Sequence, residues 1–161
     1  MKMYTTNDGY RAPDLLQAGF DHLDAAYELF ELNPRFLDSA GYLAHLGLEL
    51  VLKAYLLHLK GAFKDTHSLQ SLVKDIRELN PKFILQSPTE PFLRELDTFY
   101  GLRYPQPEVA KRAEVGSDMV PDIKALEHAV WADLPEELRA VYGAVDHTRK
   151  SGRILMRKRK E

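Results

Sequence analysis

The sequence predicts an all-α protein, an antiparallel (up-and-down) helical bundle of four to six helices, and three observations carry that expectation. Apolar residues recur every three or four positions over most of the chain, which is the spacing of one helix face. Prolines fall at the ends of these stretches, with one exception at Pro135. The connections between them are short, which favours antiparallel neighbours. No internal repeat, low-complexity segment or strand-like alternation is visible.

Helix one opens at Pro13-Asp14, where a proline loses no hydrogen bond and an acid suits the helix dipole. Leu16, Phe20, Leu23, Tyr27 and Phe30 form its apolar stripe. Asn33-Pro34 ends it and starts the next, as cap and first residue. Helix two, about 34–60, would span about 40 Å at 1.5 Å per residue and stop at Gly61, a residue suited to a left-handed cap. Phe36, Ala40, Leu43, Gly47, Leu50, Val51, Ala54 and Leu57 are its inner stripe, and Leu46, Leu48, Tyr55, Leu56 and Leu59 make the remainder apolar as well. Such a helix is either central in the fold or covered again at a subunit interface; Leu46, Tyr55 and Leu59 fall on its outer, uncovered face, where exposure would be hard to explain in a monomer.

Helix three is expected to start after Asp65 or Thr66 and reach Asn80-Pro81, with Leu69, Leu72, Val73, Ile76 and Leu79 inward. Helix four begins near Thr89 and carries Phe92, Leu93, Leu96, Phe99 and Tyr100, until Tyr104-Pro105-Gln106-Pro107 breaks it. Residues 105–117 read as a loop. A last helical region runs from about Pro121 towards Arg149, and Pro135 should kink or split it, because an interior proline costs about 3 kcal/mol.

The 161 residues suit one domain, 1–147, followed by a basic tail, 148–161. No run reaches the roughly 18 apolar residues of a membrane span, since Glu49, Lys53, His58 and Lys60 punctuate the best candidate. The first residues lack the apolar core of a secretion signal, and there is no cysteine, so the cytoplasm is the expected location. The net charge of −2 conceals a split: the tail carries seven Lys or Arg against one Glu, +6, which leaves −8 on the rest. Arg149, Lys150, Arg153, Arg157, Lys158, Arg159 and Lys160 are therefore candidate nucleic-acid contacts. A terminus kept soluble by charge would read the same way.

Few residues stand out as chemistry. Glu49 and Lys53 have the spacing of an i,i+4 pair among apolar neighbours, consistent with a structural pair or with part of a site. His67 is placed at the start of helix three, where the dipole favours a neutral, base-competent ring, or where it simply packs. Arg103, with Tyr104 beside it, follows inward aromatics at a helix end, as a phosphate clamp or as the partner of a carboxylate such as Glu49 or Asp97. His22 and His45 sit on helical faces next to apolar residues, His58 is close to a helix end, and His128 and His147 fall outside any recognisable spacing. There is no HExxH, no GxGxxG, no P-loop and no GxSxG, so neither a metal nor a cofactor is implied.

Three motifs in order, Glu49-x-x-x-Lys53-Ala54, His67-Ser-Leu-Gln-Ser-Leu72 and Tyr100-Gly-Leu-Arg-Tyr-Pro105, resemble the HEPN family of small prokaryotic helical domains, over roughly residues 15–105. They are most similar to the branch with an Arg-Tyr-Pro ending. The resemblance implies an antiparallel bundle, a homodimer, a nucleotidyltransferase-type partner protein, and a place in toxin–antitoxin or RNA-cleaving defence modules. Active members of the family carry Arg, four to six residues, then His. Here Arg103 is followed by YPQPEVAKR, and Arg139 and His147 are separated by seven residues. The general acid–base partner is missing from its usual place. The resemblance therefore implies a non-catalytic member that engages a nucleotide, RNA or partner near Arg103, with Glu49, Lys53 and His67 as a polar seam. The alternatives are a metal-independent endoribonuclease using Arg103 and His67 as catalytic residues at a dimer interface, and a structural adaptor.

Overall fold

A computed structural model describes residues 1–83, 85, 90–104 and 115–143. In chain order these form strand β1 (Met3–Thr5), helices α1 (Ala12–Leu32) and α2 (Leu37–Lys60), strand β2 (Ala62–Lys64), and helices α3 (Leu69–Leu79), α4 (Glu90–Thr98), α5 (Val120–Asp133) and α6 (Glu136–Gly143). Single 3-10 turns lie at Thr6–Asp8, Pro34–Phe36, Phe99–Arg103 and Ser117–Met119. The all-α class holds.

Helices α1 and α2 form the antiparallel hairpin on which everything else rests. The Asn33 side chain accepts the Arg35 amide at 3.0 Å and caps one 3-10 turn, so α2 begins at Leu37 rather than at the proline. The two helices touch at their backbones. A Cβ added to Gly19 would lie 2.8 Å from the Gly47 carbonyl oxygen, and one added to Gly47 would lie 2.8 Å from that of Gly19. Only glycine at both positions allows that approach.

Helix α2 runs through the middle of the core, with Ala44, Leu48, Val51, Leu52 and Leu56 buried. It ends where expected, at Gly61 with φ +71°, whose amide bonds the Leu57 carbonyl at 2.9 Å. By length and mean hydropathy, 1.2, the segment Pro34–Lys60 would suit a membrane, but 78% of its most apolar window is buried inside this fold, as in the central helix of a bundle. Tyr55 corrects the sequence reading. It was expected on an uncovered face, yet it is 1% exposed. Its hydroxyl donates to the Asp133 carboxylate at 2.7 Å and accepts from the Asn80 amide at 2.9 Å, which ties α2 to the ends of α3 and α5. Burial, reinforced by the Asp133 hydrogen bond, pushes the phenol up to about 12. Leu46 is half-buried and Leu59 is 37% exposed, so of the three residues only Leu59 leaves a large apolar side chain open.

A second difference is a small antiparallel ribbon in which Met3, Tyr4 and Thr5 pair with Lys64, Phe63 and Ala62. The Tyr10 ring packs edge-on to those of Tyr4 and Phe63, and the Lys53 ammonium lies 5.4 Å from the Phe63 ring. Three-residue strands offer too little alternation to be read from sequence.

Pro135 splits the last region as expected. Leu134 before it is extended (φ −61°, ψ 143°), which ends α5 and lets α6 start at Glu136. Most of the expected loop 105–117, its residues 105–114, lies outside the described residues, as does the tail 148–161.

Candidate functional site

The seam grows from one face of α2. His45, Glu49 and Lys53 are spaced four apart and therefore stack along the helix. Glu49 is 3% exposed and Lys53 6%, and the Lys53 ammonium donates to Glu49 Oε1 at 2.6 Å. The i,i+4 pair is thus real and buried, where loss of one partner costs far more than at a surface.

His67 arrives from the segment between β2 and α3. It does not open α3, as the sequence suggested: the N-cap is Ser68, and α3 begins at Leu69. The amides at that helix end are taken by Asp97 of α4. Its carboxylate accepts from the Leu69 amide at 2.6 Å, the Gln70 amide at 3.3 Å, the Ser68 hydroxyl at 3.1 Å and the Gln70 side chain at 3.1 Å. An anion is favoured at a helix N-terminus. Burial opposes the charge of Asp97, but contact with the His45 ring and the hydrogen bonds from Leu69 and Gln70 outweigh it and hold the carboxyl below its ordinary range.

The capped turn holds His67 over Glu49, with Nδ1 at 3.1 and 3.2 Å from the two carboxylate oxygens. A carboxylate engaged by Lys53 only accepts, so Nδ1 is the nitrogen that donates. The side chain is 44% exposed. Its ring stacks on Tyr100, with centroids 4.3 Å apart and planes at 12°. His45 lies beneath, fully buried. Its Nε2 is 3.5 Å from Asp97 and its Nδ1 3.9 Å from Glu49, and neither nitrogen makes a hydrogen bond among the described residues.

Tyr100 links this interior to the surface. Arg103 donates from Nη1 to the Tyr100 hydroxyl at 3.1 Å and from Nη2 to the Tyr104 hydroxyl at 2.8 Å. The guanidinium carbon stands 5.3 and 4.8 Å from the two ring centroids. Arg103 does not pair with Glu49 or Asp97, and among the described residues no carboxylate lies within ion-pair distance of it. Arg103 is exposed, and Tyr104 is 57% exposed.

Glu49, Lys53, His67, Arg103 and Tyr104 therefore belong to one connected arrangement, joined through Tyr100. Arg149, Lys150, Arg153, Arg157, Lys158, Arg159 and Lys160 lie outside the described residues. Among the described residues no group of three or more His, Asp or Glu side chains is arranged to hold a metal ion. Sequence reasoning passed over two members. His45 carried a signal, its i,i+4 spacing to Glu49. Asp97 as a cap carried none, because its partners are 28 residues away.

Compared with known proteins, the chain matches the family model of the HEPN domain over residues 12–130. The chain belongs to the HEPN domain family. The match spans α1 to most of α5 and contains every member of the seam. No curated protein and no solved structure matches this HEPN chain.

Proposed function

We propose that this HEPN domain binds a phosphate-bearing ligand, RNA or a nucleotide, at the surface formed by Arg103, Tyr104, Tyr100 and His67. The observation that carries the reading is Arg103 itself: an exposed guanidinium aimed by two tyrosine hydroxyls and answered by no carboxylate among the described residues. A fork of this kind suits the oxygens of a phosphate. The exposed Tyr104 ring adds a face on which a base can stack. In this reading the protein acts as a homodimer within a prokaryotic toxin–antitoxin or defence-type module, of the Arg-Tyr-Pro branch and beside a nucleotidyltransferase-type partner. Its basic tail adds salt-sensitive affinity, with a log–log slope of about −0.7 per phosphate contacted on a single strand.

One observation favours a second reading, the metal-independent endoribonuclease. Glu49 orients His67 through Nδ1 as a carboxylate orients the imidazole of a hydrolytic triad, and Tyr100, stacked on His67, bonds Arg103 through its hydroxyl. A single experiment separates the two: total tRNA incubated in EDTA with wild type and with Arg103→Ala, read for cleavage on a gel and for binding by filter retention. Retention by the wild type without cleavage, lost in Arg103→Ala, is the expected result. Cleavage by the wild type alone would install the ribonuclease. Neither cleavage nor retention, with no shift of the melting temperature by nucleotides either, would sink both readings and leave the structural adaptor.

A further inference from the structure

A second cluster, sharing no residue with the seam, lies between α1 and α5. Phe20 and Asp24 are one turn apart on α1, and Glu127 and Trp131 one turn apart on α5. The two helices face each other in opposite directions: Phe20 meets Trp131, while Tyr27 meets Glu127 and Lys124. Tyr142 of α6 closes one end. The rings of Phe20, Trp131 and Tyr142 all touch one another, with centroids 4.9–5.5 Å apart and planes inclined by 51–71°, so they form a corner rather than a stack. With Asp24, Glu127 and His128 they line a cavity of about 200 Å³.

Core packing accounts for Phe20, which is 5% exposed. Trp131 and Tyr142 pack against that core but stay half-buried, beside the half-buried carboxylate of Glu127. Glu127 is hydrogen-bonded by the Tyr27 hydroxyl, and among the described residues no basic group lies within ion-pair distance of it. Burial raises its carboxyl above the ordinary value and repulsion from Asp24 adds to this, while the Tyr27 hydrogen bond and the neighbouring His128 and Lys124 oppose it. The corner thus combines π faces, which attract a cation, with two carboxylates that repel each other. We propose that it binds an organic ammonium group, with Phe20, Trp131 and Tyr142 as its walls and Glu127 as the counter-charge. A methylated ammonium fits best. It is weakly hydrated and fills apolar walls, whereas a metal ion would give up its water for rings that offer no oxygen ligands.

Trp131 is the only tryptophan in the chain, so its fluorescence reports on the corner directly. The full-length protein is titrated with choline and with the neutral alcohol in which carbon replaces the quaternary nitrogen. Choline should give a saturable change with a Kd on the order of millimolar, and the alcohol should bind at least about tenfold more weakly. Glu127→Gln, whose amide oxygen still accepts the Tyr27 hydroxyl, should weaken choline by a similar factor at an unchanged melting temperature. If that variant does not fold, Asp24→Asn, at an exposed position, should weaken choline by a smaller factor. An unsaturable response to choline would overturn the proposal, as would equal binding of the alcohol or undiminished binding when the carboxylate is removed.

Discussion

At its buried end the polar seam answers its charges inside the protein: Glu49 meets Lys53 and His67, and Asp97 meets the first amides of α3. At its exposed end, a few residues along the same arrangement, Arg103 meets only tyrosine hydroxyls. The two ends have been made by opposite pressures. A buried carboxylate must find its partners in the fold, because leaving it unpaired costs several kcal/mol. An exposed guanidinium is held by water and loses little without a partner. What remains unanswered at the surface is therefore what the protein offers to something else.

The comparison breaks first at Lys53. Lys53→Ala leaves the buried Glu49 with His67 alone as its hydrogen-bond partner among the described residues and should lower unfolding free energy by about 3 kcal/mol in urea denaturation at neutral pH. A loss below about 1 kcal/mol would mean that the pair behaves as a solvated surface pair.

A smaller effect is expected at the cap. Asp97→Asn keeps the shape but weakens four hydrogen bonds, for a loss of about 2 kcal/mol. The sign of its pH dependence follows from the folded carboxyl titrating below its ordinary 3.8. The wild type's extra stability is present above that value and disappears as pH falls through the lower folded value. Acid-unfolding curves of wild type and Asp97→Asn should therefore converge at the acid end, and curves that stay parallel would remove Asp97 from the account.

The smallest stability change belongs to Arg103. Arg103→Ala should stay within about 0.5 kcal/mol of wild type while RNA retention falls. Arg103→Lys sharpens the point, because it keeps the charge and loses the fork; retention as strong as the wild type's would show that charge alone suffices.

Most helices were legible because each is written twice, in periodicity and in punctuation. Asn33-Pro34, Gly61 and Pro135 mark ends that the structure respects. Tyr55 was misplaced because α2 is apolar all round, so spacing does not tell its covered faces from open ones; its hydroxyl partner is 78 residues away. The seam was half-legible for a related reason. Glu49 and Lys53 announce each other on one helix, but His67 reaches them only because Asp97, on another helix, sets the first turn of α3. Local sequence records the residues of that contact and not the contact.

The glycine contact between α1 and α2 bears on the order in which the molecule assembles. A helical hairpin joined by one short turn closes with little loop entropy, and such local contacts form early. The Asp97 cap joins segments 28 residues apart, and the Tyr55 bonds to Asp133 join segments 78 apart. In pulse-labelling hydrogen exchange, amides of α1 and α2 should gain protection before those of Leu69 and Gln70. A nascent chain would then possess its scaffold for some time before it possesses its site.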